Sequence, residues 1–202
     1  MHNLDDEFLL FVTPFGAYLD PDAGARCMTS SWRRVNDTSI PARAKVTGIY
    51  VNNAMAKTEA NLNGFDEAIM LNDDGHVSEG SGENIIMLRH GKLVTPAPSD
   101  NILEGITLDT VLGLAKTHLG LDVERRSIDR TELYIADELF MTGTAAHVTP
   151  ITEVDRVAIG DGQPGRISKE IQSLYFQMIT GRMPQYASWL TPTYRAAVAA
   201  KA

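Results

Sequence analysis

Between Ala68 and Thr95 the chain packs four short β-type runs, and that spacing limits its fold more than any other feature. Ala68–Leu71, His76–Glu79, Asn84–Leu88 and Lys92–Thr95 are too short for ordinary helices. Asn72-Asp73-Asp74-Gly75 and His90-Gly91 separate them, and such Asn, Asp and Gly clusters favour tight turns. An antiparallel meander with short turns is the expectation.

Helical spacing appears directly afterwards. Leu108, Val111, Leu112, Ala115 and Leu119 predict an amphipathic helix over Thr107–Leu119, closed by Gly120, with Asp109 suited to its positive first turn. Upstream, Ala42–Leu62 is helix-friendly though interrupted by Gly48, and Asn63-Gly64 is a stop. Glu7–Thr13, ended by Pro14 and Gly16, reads as a buried strand that needs a partner, and Leu19–Gly24 holds another break. Downstream, Val123–Ile128 and Glu138–Met141 read as strands around a short helix at Arg130–Ala136, and Thr149–Ile159 as a strand pair or bent strand. Ile167, Ile171, Leu174, Tyr175, Met178 and Ile179 mark a last helix, followed from Arg182 by a tail. The order mixes α and β elements.

At 202 residues, one substantial core is the simplest organisation. A formal net charge of −8 disfavours nucleic acid as a partner, because phosphate neutralisation needs clustered Lys and Arg. Small-molecule or protein partners fit better. The single cysteine, Cys27, has no partner for an internal disulfide and no zinc spacing around it, and His76, His90, His118 and His147 are scattered, so no metal site is expected and a reducing, cytoplasmic setting is. The acidic start MHNLDDEF is unlike a secretory signal, and no apolar run approaches the ~20 residues of a membrane span.

Four segments offer chemistry. Lys45, one of six lysines, sits among Ala44, Val46 and Thr47 without a helical carboxylate partner, which leaves open a poorly solvated, nucleophilic amine or a snorkelling surface lysine. In Val77-Ser78-Glu79-Gly80-Ser81-Gly82-Glu83-Asn84 the glycines permit close backbone approach to a ligand and a carboxylate suits a heterocyclic nitrogen, although a solvated loop has the same composition. Leu103-Glu104-Gly105-Ile106-Thr107 enters the predicted helix, where free N–H groups and a hydroxyl form a natural phosphate seat; Thr107 as a plain N-cap serves equally. Met141-Thr142-Gly143-Thr144-Ala145-Ala146 ends a strand in small and hydroxylated residues, suited to an anion or to an ordinary turn. No P-loop or dinucleotide fingerprint is present.

Taken in order, GAYL at Gly16, SSWRR at Ser30, Lys45–Tyr50, EANLNGFDEAIML from Glu59, VSEGSGEN, LEGITLD and YIADELFMTGTAAHVTPI resemble the fold-type IV pyridoxal-phosphate enzymes, and in particular the bacterial branched-chain amino acid aminotransferases, over roughly Phe15 to Gly181. The resemblance implies an α/β (α+β mixed) chain with the large-domain fold of the D-amino acid aminotransferase-like group, a barrel-like sheet with surrounding helices. It further implies pyridoxal 5'-phosphate as cofactor and amino-group transfer between leucine, isoleucine or valine and 2-oxoglutarate. D-amino acid aminotransferases and aminodeoxychorismate lyases share the lysine and phosphate features, and a non-catalytic assembly module is a further alternative.

By the same resemblance Lys45 is the lysine that condenses with the cofactor aldehyde and shuttles the substrate α-proton. Glu79 pairs with the ring nitrogen, Tyr50 bonds the phenolic oxygen, Leu103 packs the ring and Gly82 admits it. Ile106 and Thr107, helped by Thr144, hold the phosphate. Gly143-Thr144-Ala145 seats the substrate carboxylate, and Phe15 falls where relatives place an aromatic of the side-chain pocket. Complete relatives carry a smaller amino-terminal domain, of which residues 1–20 are read as a remnant, with 21–181 as the cofactor-binding domain and 182–202 as a tail. Cofactor binding is therefore expected to be retained more readily than turnover. A homodimer or higher homo-oligomer acting on amino acids and 2-oxo acids completes the expectation.

Overall fold

Alternation along the strands separates two cores. In the computed structural model, which describes residues 5–16 and 18–192, Ile85 and Met87 face one apolar cluster while Ile86 and Leu88 face another. That period of two marks a strand buried on both faces. The same division recurs at Leu139 and Met141 against Phe140, and at Ile69 and Leu71 against Ala68 and Met70.

In chain order the elements are β1 (Ala25–Arg33), α1 (Tyr50–Leu62), β2 (Glu67–Leu71), β3 (Val77–Gly80), β4 (Asn84–Arg89), β5 (Lys92–Thr95), α2 (Ile106–Leu119), β6 (Val123–Arg125), β7 (Glu138–Gly143), β8 (His147–Val154), β9 (Val157–Ala158) and α3 (Arg166–Ile179). Short 3-10 helices lie at Thr47–Ile49, Pro98–Asp100, Arg130–Ile135 and Pro184–Trp189. The strands form one sheet of order β3-β2-β1-β8-β7-β4-β5-β6, with β9 hydrogen-bonded to β8. β1 runs parallel to β2 and to β8, and β5 to β6; the other pairs are antiparallel.

The two ends of this sheet meet. His76 bridges to Asp129, and the Val77 N–H donates to the Ile128 carbonyl at 2.9 Å, so the β3 edge closes on the chain that leaves β6. The expected barrel-like sheet with helices outside is thus the observed architecture. Its inner face holds Cys27, Ile69, Met87, Leu139 and Ile151, while α2 and α3 cover Ile86, Phe140 and Val148 on the outer face. α1 covers Ala68 and Met70 with Ala56 and Ala60.

α2 and α3 match the periodicities that announce them, and Gly120 ends α2 with φ 65°, a conformation glycine adopts without penalty. Ala42–Leu62 becomes helical only from Thr47. Thr149–Ile159 resolves as the hairpin of β8 and β9.

Three expectations are corrected. The meander is broken: β2 pairs with β3 and β4 with β5, but β7 captures β4 through five residue pairs, leaving β3 at the sheet's end. Residues 7–13 form no strand, and Phe8–Val12 are 74–89% exposed. Apolar composition favours burial, but a strand exists only through a partner, and none pairs with this segment among the described residues. The carboxyl-terminal tail starts later than expected, because Met183 is buried and Tyr186 and Leu190 pack on the α2–α3 cluster. The rest of that tail, 193–202, and residues 1–4 of the amino-terminal remnant lie outside the described residues.

Candidate active site

The ends of β1, β3, β4 and β7 open on a cleft of about 880 Å³, its mouth included, that also takes in the loops before α1 and α2. Lys45, Tyr50, Glu79, Gly82, Leu103, Ile106, Thr107, Gly143 and Thr144 all line it. Phe15 and Ala145 do not; Phe15 is 73% exposed.

Glu79 ends β3 and is buried. Its Oε1 takes Arg34 Nη2 at 2.7 Å, and its Oε2 takes Asn84 Nδ2 at 3.0 Å and the Leu103 N–H at 2.9 Å. Arg34, just past β1 and equally buried, is fixed by Asn53 Oδ1 at 3.0 Å and the Asn101 carbonyl at 3.1 Å. Burial lifts the Glu79 carboxyl to about 7, against the pull of Arg34, the Leu103 N–H and Lys45. A carboxylate offers about four lone-pair directions. Three are taken, so one further donor is accommodated, and a cationic one favours the ionised form.

Across the cleft, α2 presents its amino terminus. Gly105 precedes it and supplies no side-chain cap; the first helical bond is from the Asp109 N–H to the Gly105 carbonyl at 3.1 Å. The N–H groups of Ile106, Thr107 and Leu108 therefore have no acceptor within the helix. Thr107 sits inside the helix rather than capping it, with its hydroxyl available. Thr142, at the end of β7, adds a buried hydroxyl that lines the cleft and has no hydrogen-bond partner among the described residues. Unpaired amides, the positive end of a helix and an orphan hydroxyl fit an anionic group. A Cβ built on Gly82 meets nothing within 4 Å, so the cleft wall there is backbone with open space before it.

Lys45 Nζ lies 5.4 Å from the centroid of the Tyr50 ring, and its charge reaches Glu79. The poorly solvated amine considered from sequence is not found: Lys45 is exposed, on a loop held by short turns such as the Ala44 N–H to the Pro41 carbonyl at 3.1 Å, and no strand covers it among the described residues. The residues fit pyridoxal 5'-phosphate: an amine for its aldehyde, a charge-tuned carboxylate for its ring nitrogen and a helix terminus for its phosphate.

Sequence reasoning missed Arg34, Asn84 and Thr142. Arg34 lies within the quoted SSWRR stretch, but nothing local marks it as the buried one of two arginines, since its partner Glu79 is brought in by the sheet.

Residues 1–154 match the family model described as amino-transferase class IV. The chain is 53% identical over 188 residues to a probable branched-chain-amino-acid aminotransferase of Aquifex aeolicus, an overlap of 93% of this chain and 60% of that protein. Its structure superposes with a TM-score of 0.85 and 49% identity on a branched-chain aminotransferase from Thermoproteus uzoniensis solved with norvaline, covering 90% of this chain and 60% of the other. A branched-chain amino acid aminotransferase from Thermobaculum terrenum in PLP-form gives 0.84 and 44%, over 86% and 57% of the two chains. The chain thus spans about 60% of the length of the curated relatives it matches.

Proposed function

The chain belongs to the class IV aminotransferases, and from that premise we propose that it carries the cofactor site of a branched-chain amino acid aminotransferase. The observation that carries this reading is one cleft in which Lys45, the Arg34-bound carboxylate of Glu79 and the free amides of α2 face a common space.

Bound there, pyridoxal 5'-phosphate supplies an aldehyde for an amino group and a cationic ring that accepts the electron pair left at the substrate α-carbon. Glu79, drawn toward its ionised form by Arg34, would hold the proton on the ring nitrogen. Ile106, Thr107, Thr142 and Thr144 hold the phosphate, and Tyr50 bonds the phenolic oxygen. Lys45 Nζ would hold the cofactor through its aldehyde and, once the substrate amine has displaced it, would move the proton between the substrate α-carbon and the cofactor's C4′. Backbone amides at Gly143-Thr144-Ala145 orient the substrate carboxylate, and Phe15 belongs to the side-chain pocket.

Leucine, isoleucine and valine are the amino donors and 2-oxoglutarate the acceptor. Residues 21–181 make the cofactor domain, the exposed apolar run Phe8–Val12 favours a homodimer, and the setting is cytoplasmic. No helix among the described residues is long and apolar enough to cross a membrane. Incubating the protein with pyridoxal 5'-phosphate, each branched-chain amino acid and 2-oxoglutarate tests the reading. Glutamate formation is expected. Transfer only from D-amino acids, or no cofactor uptake at all, overturns it.

A further inference from the structure

Lys45 sits on an exposed arc, residues 43–48, strung between the buried Ala42 and Ile49. The arc bonds mostly to itself and its edges: the Ala44 N–H donates to the Pro41 carbonyl at 3.1 Å and the Val46 N–H to the Ala44 carbonyl at 2.6 Å. Among the described residues, one hydrogen bond ties Arg43–Val46 to a distant segment, from Arg43 Nε to Glu104 Oε1 at 2.6 Å. Asp37 Oδ1, 3.8 Å from Arg43 Nη1, pulls more weakly on the same guanidinium. Ahead of the arc the chain is fixed separately, where the Asp37 N–H donates to Asn101 Oδ1 at 3.0 Å and the Ala42 N–H to Asp37 Oδ1 at 3.0 Å.

Glu104 connects that tie to the chemistry. Leu103 before it gives its N–H to Glu79, and Gly105 after it leads into α2. Arg43 stands two residues from Lys45. The bond therefore joins the arc that carries the amine to the segment that bears on both the buried carboxylate and the free amides of α2. Both partners are about half exposed, so the pair adds little to global stability. Local opening of the arc is another matter: with no buried side chain of its own and few bonds beyond itself, it opens cheaply, and a modest pair changes how often it is closed.

We infer that Arg43 and Glu104 are positioning residues, a latch that keeps Lys45 within reach of a cofactor aldehyde while the phosphate seat stands without it; the role depends on the function proposed above.

Glu104→Gln tests this, because charge alone and the latch predict opposite results. Removing an acid beside the positive end of α2 favours an anion there, so an effect of charge alone tightens pyridoxal 5'-phosphate. With the latch lost, affinity for pyridoxal 5'-phosphate at low salt, followed by absorbance, should fall about two- to fivefold, the measure of an exposed pair. Pyridoxamine 5'-phosphate offers Lys45 no aldehyde and reads the seat alone, so its affinity should hold or rise. In the cofactor-free protein, amide hydrogen exchange at Ala44 and Val46 should quicken by a similar factor, with Asp37 unmoved, and the charge-reversed pair Arg43→Glu with Glu104→Arg should return it to the wild-type rate. Unchanged exchange, the same quickening at Asp37, a reversed pair that stays fast, or equal weakening of both cofactor forms overturns the latch, as does tighter pyridoxal 5'-phosphate in Glu104→Gln. Cofactor taken up by neither protein overturns the functional reading instead, while the exchange rates still decide the latch.

Discussion

Replacing Arg34 with methionine keeps much of its volume and removes the cation that holds Glu79. The pair sits at 2.7 Å with side chains 2% and 7% exposed, so solvent screens it little. Removing one partner of such a pair costs about 3–5 kcal/mol, because the other is left as an uncompensated buried charge. For a chain of this size 1 kcal/mol moves Tm by roughly 2–4 °C, so a drop of about 6–20 °C is expected. Glu79 has one escape, which is to take up a proton. Burial already brings its carboxyl from 4.5 to about 7, and without Arg34 it rises further. An acid raised in the folded state stabilises the fold below its unfolded pKa and loses that contribution as pH climbs through its folded value. The wild type therefore loses this contribution between pH 4.5 and about 7, and Arg34→Met loses it over a window extended upward. Urea unfolding of Arg34→Met against the wild type should show a penalty at pH 8 larger than that at pH 6 by about 1–2 kcal/mol. In the double variant with Glu79→Leu the two costs should fall short of their sum by at least ~1 kcal/mol. A penalty under ~1 kcal/mol, equal at both pH values, would refute the buried pair as the device that draws Glu79 toward its ionised form.

Thr142→Val removes a buried hydroxyl that has no partner among the described residues. Cofactor-free stability should hold or rise by up to about 1 kcal/mol, because an unsatisfied group is lost, while titration should show weaker pyridoxal 5'-phosphate binding. Gly105→Ala places a methyl on Asn84 Oδ1, whose amide supports Glu79 and the Leu103 carbonyl. Overpacking of this kind costs about 1–3 kcal/mol, and calorimetry should record it together with lowered cofactor affinity.

What the sequence discloses follows from locality. β2 to β5 are legible because Asn, Asp and Gly sit at their turns, and α2 because its apolar residues repeat within the helix itself. β1 is not legible: RCMTSSWR reads as polar, yet Ala25 and Cys27 enter the core, and Thr29 is satisfied by Asp155 through its N–H at 2.7 Å and its hydroxyl at 2.6 Å. The strand's identity comes from β2 and β8 on either side. Phe8–Val12 shows the converse, an apolar run that no strand pairs with among the described residues. Of the candidate site, Lys45, Glu79 and the 103–107 entry to α2 are visible through resemblance, each within its own short motif. The closure of β3 on Ile128, the seat of Arg34 on Glu79 and the tie of Arg43 to Glu104 arise between segments far apart in the chain, and no local pattern encodes them.

The functional reading stands on Lys45 Nζ as the amine that meets the cofactor aldehyde. Incubation with pyridoxal 5'-phosphate, borohydride reduction and peptide mass spectrometry should place the reduced label on Lys45, and Lys45→Ala should take up none in the cleft. Label found on Lys57, Lys92, Lys116 or Lys169 with Lys45 unmodified would contradict it.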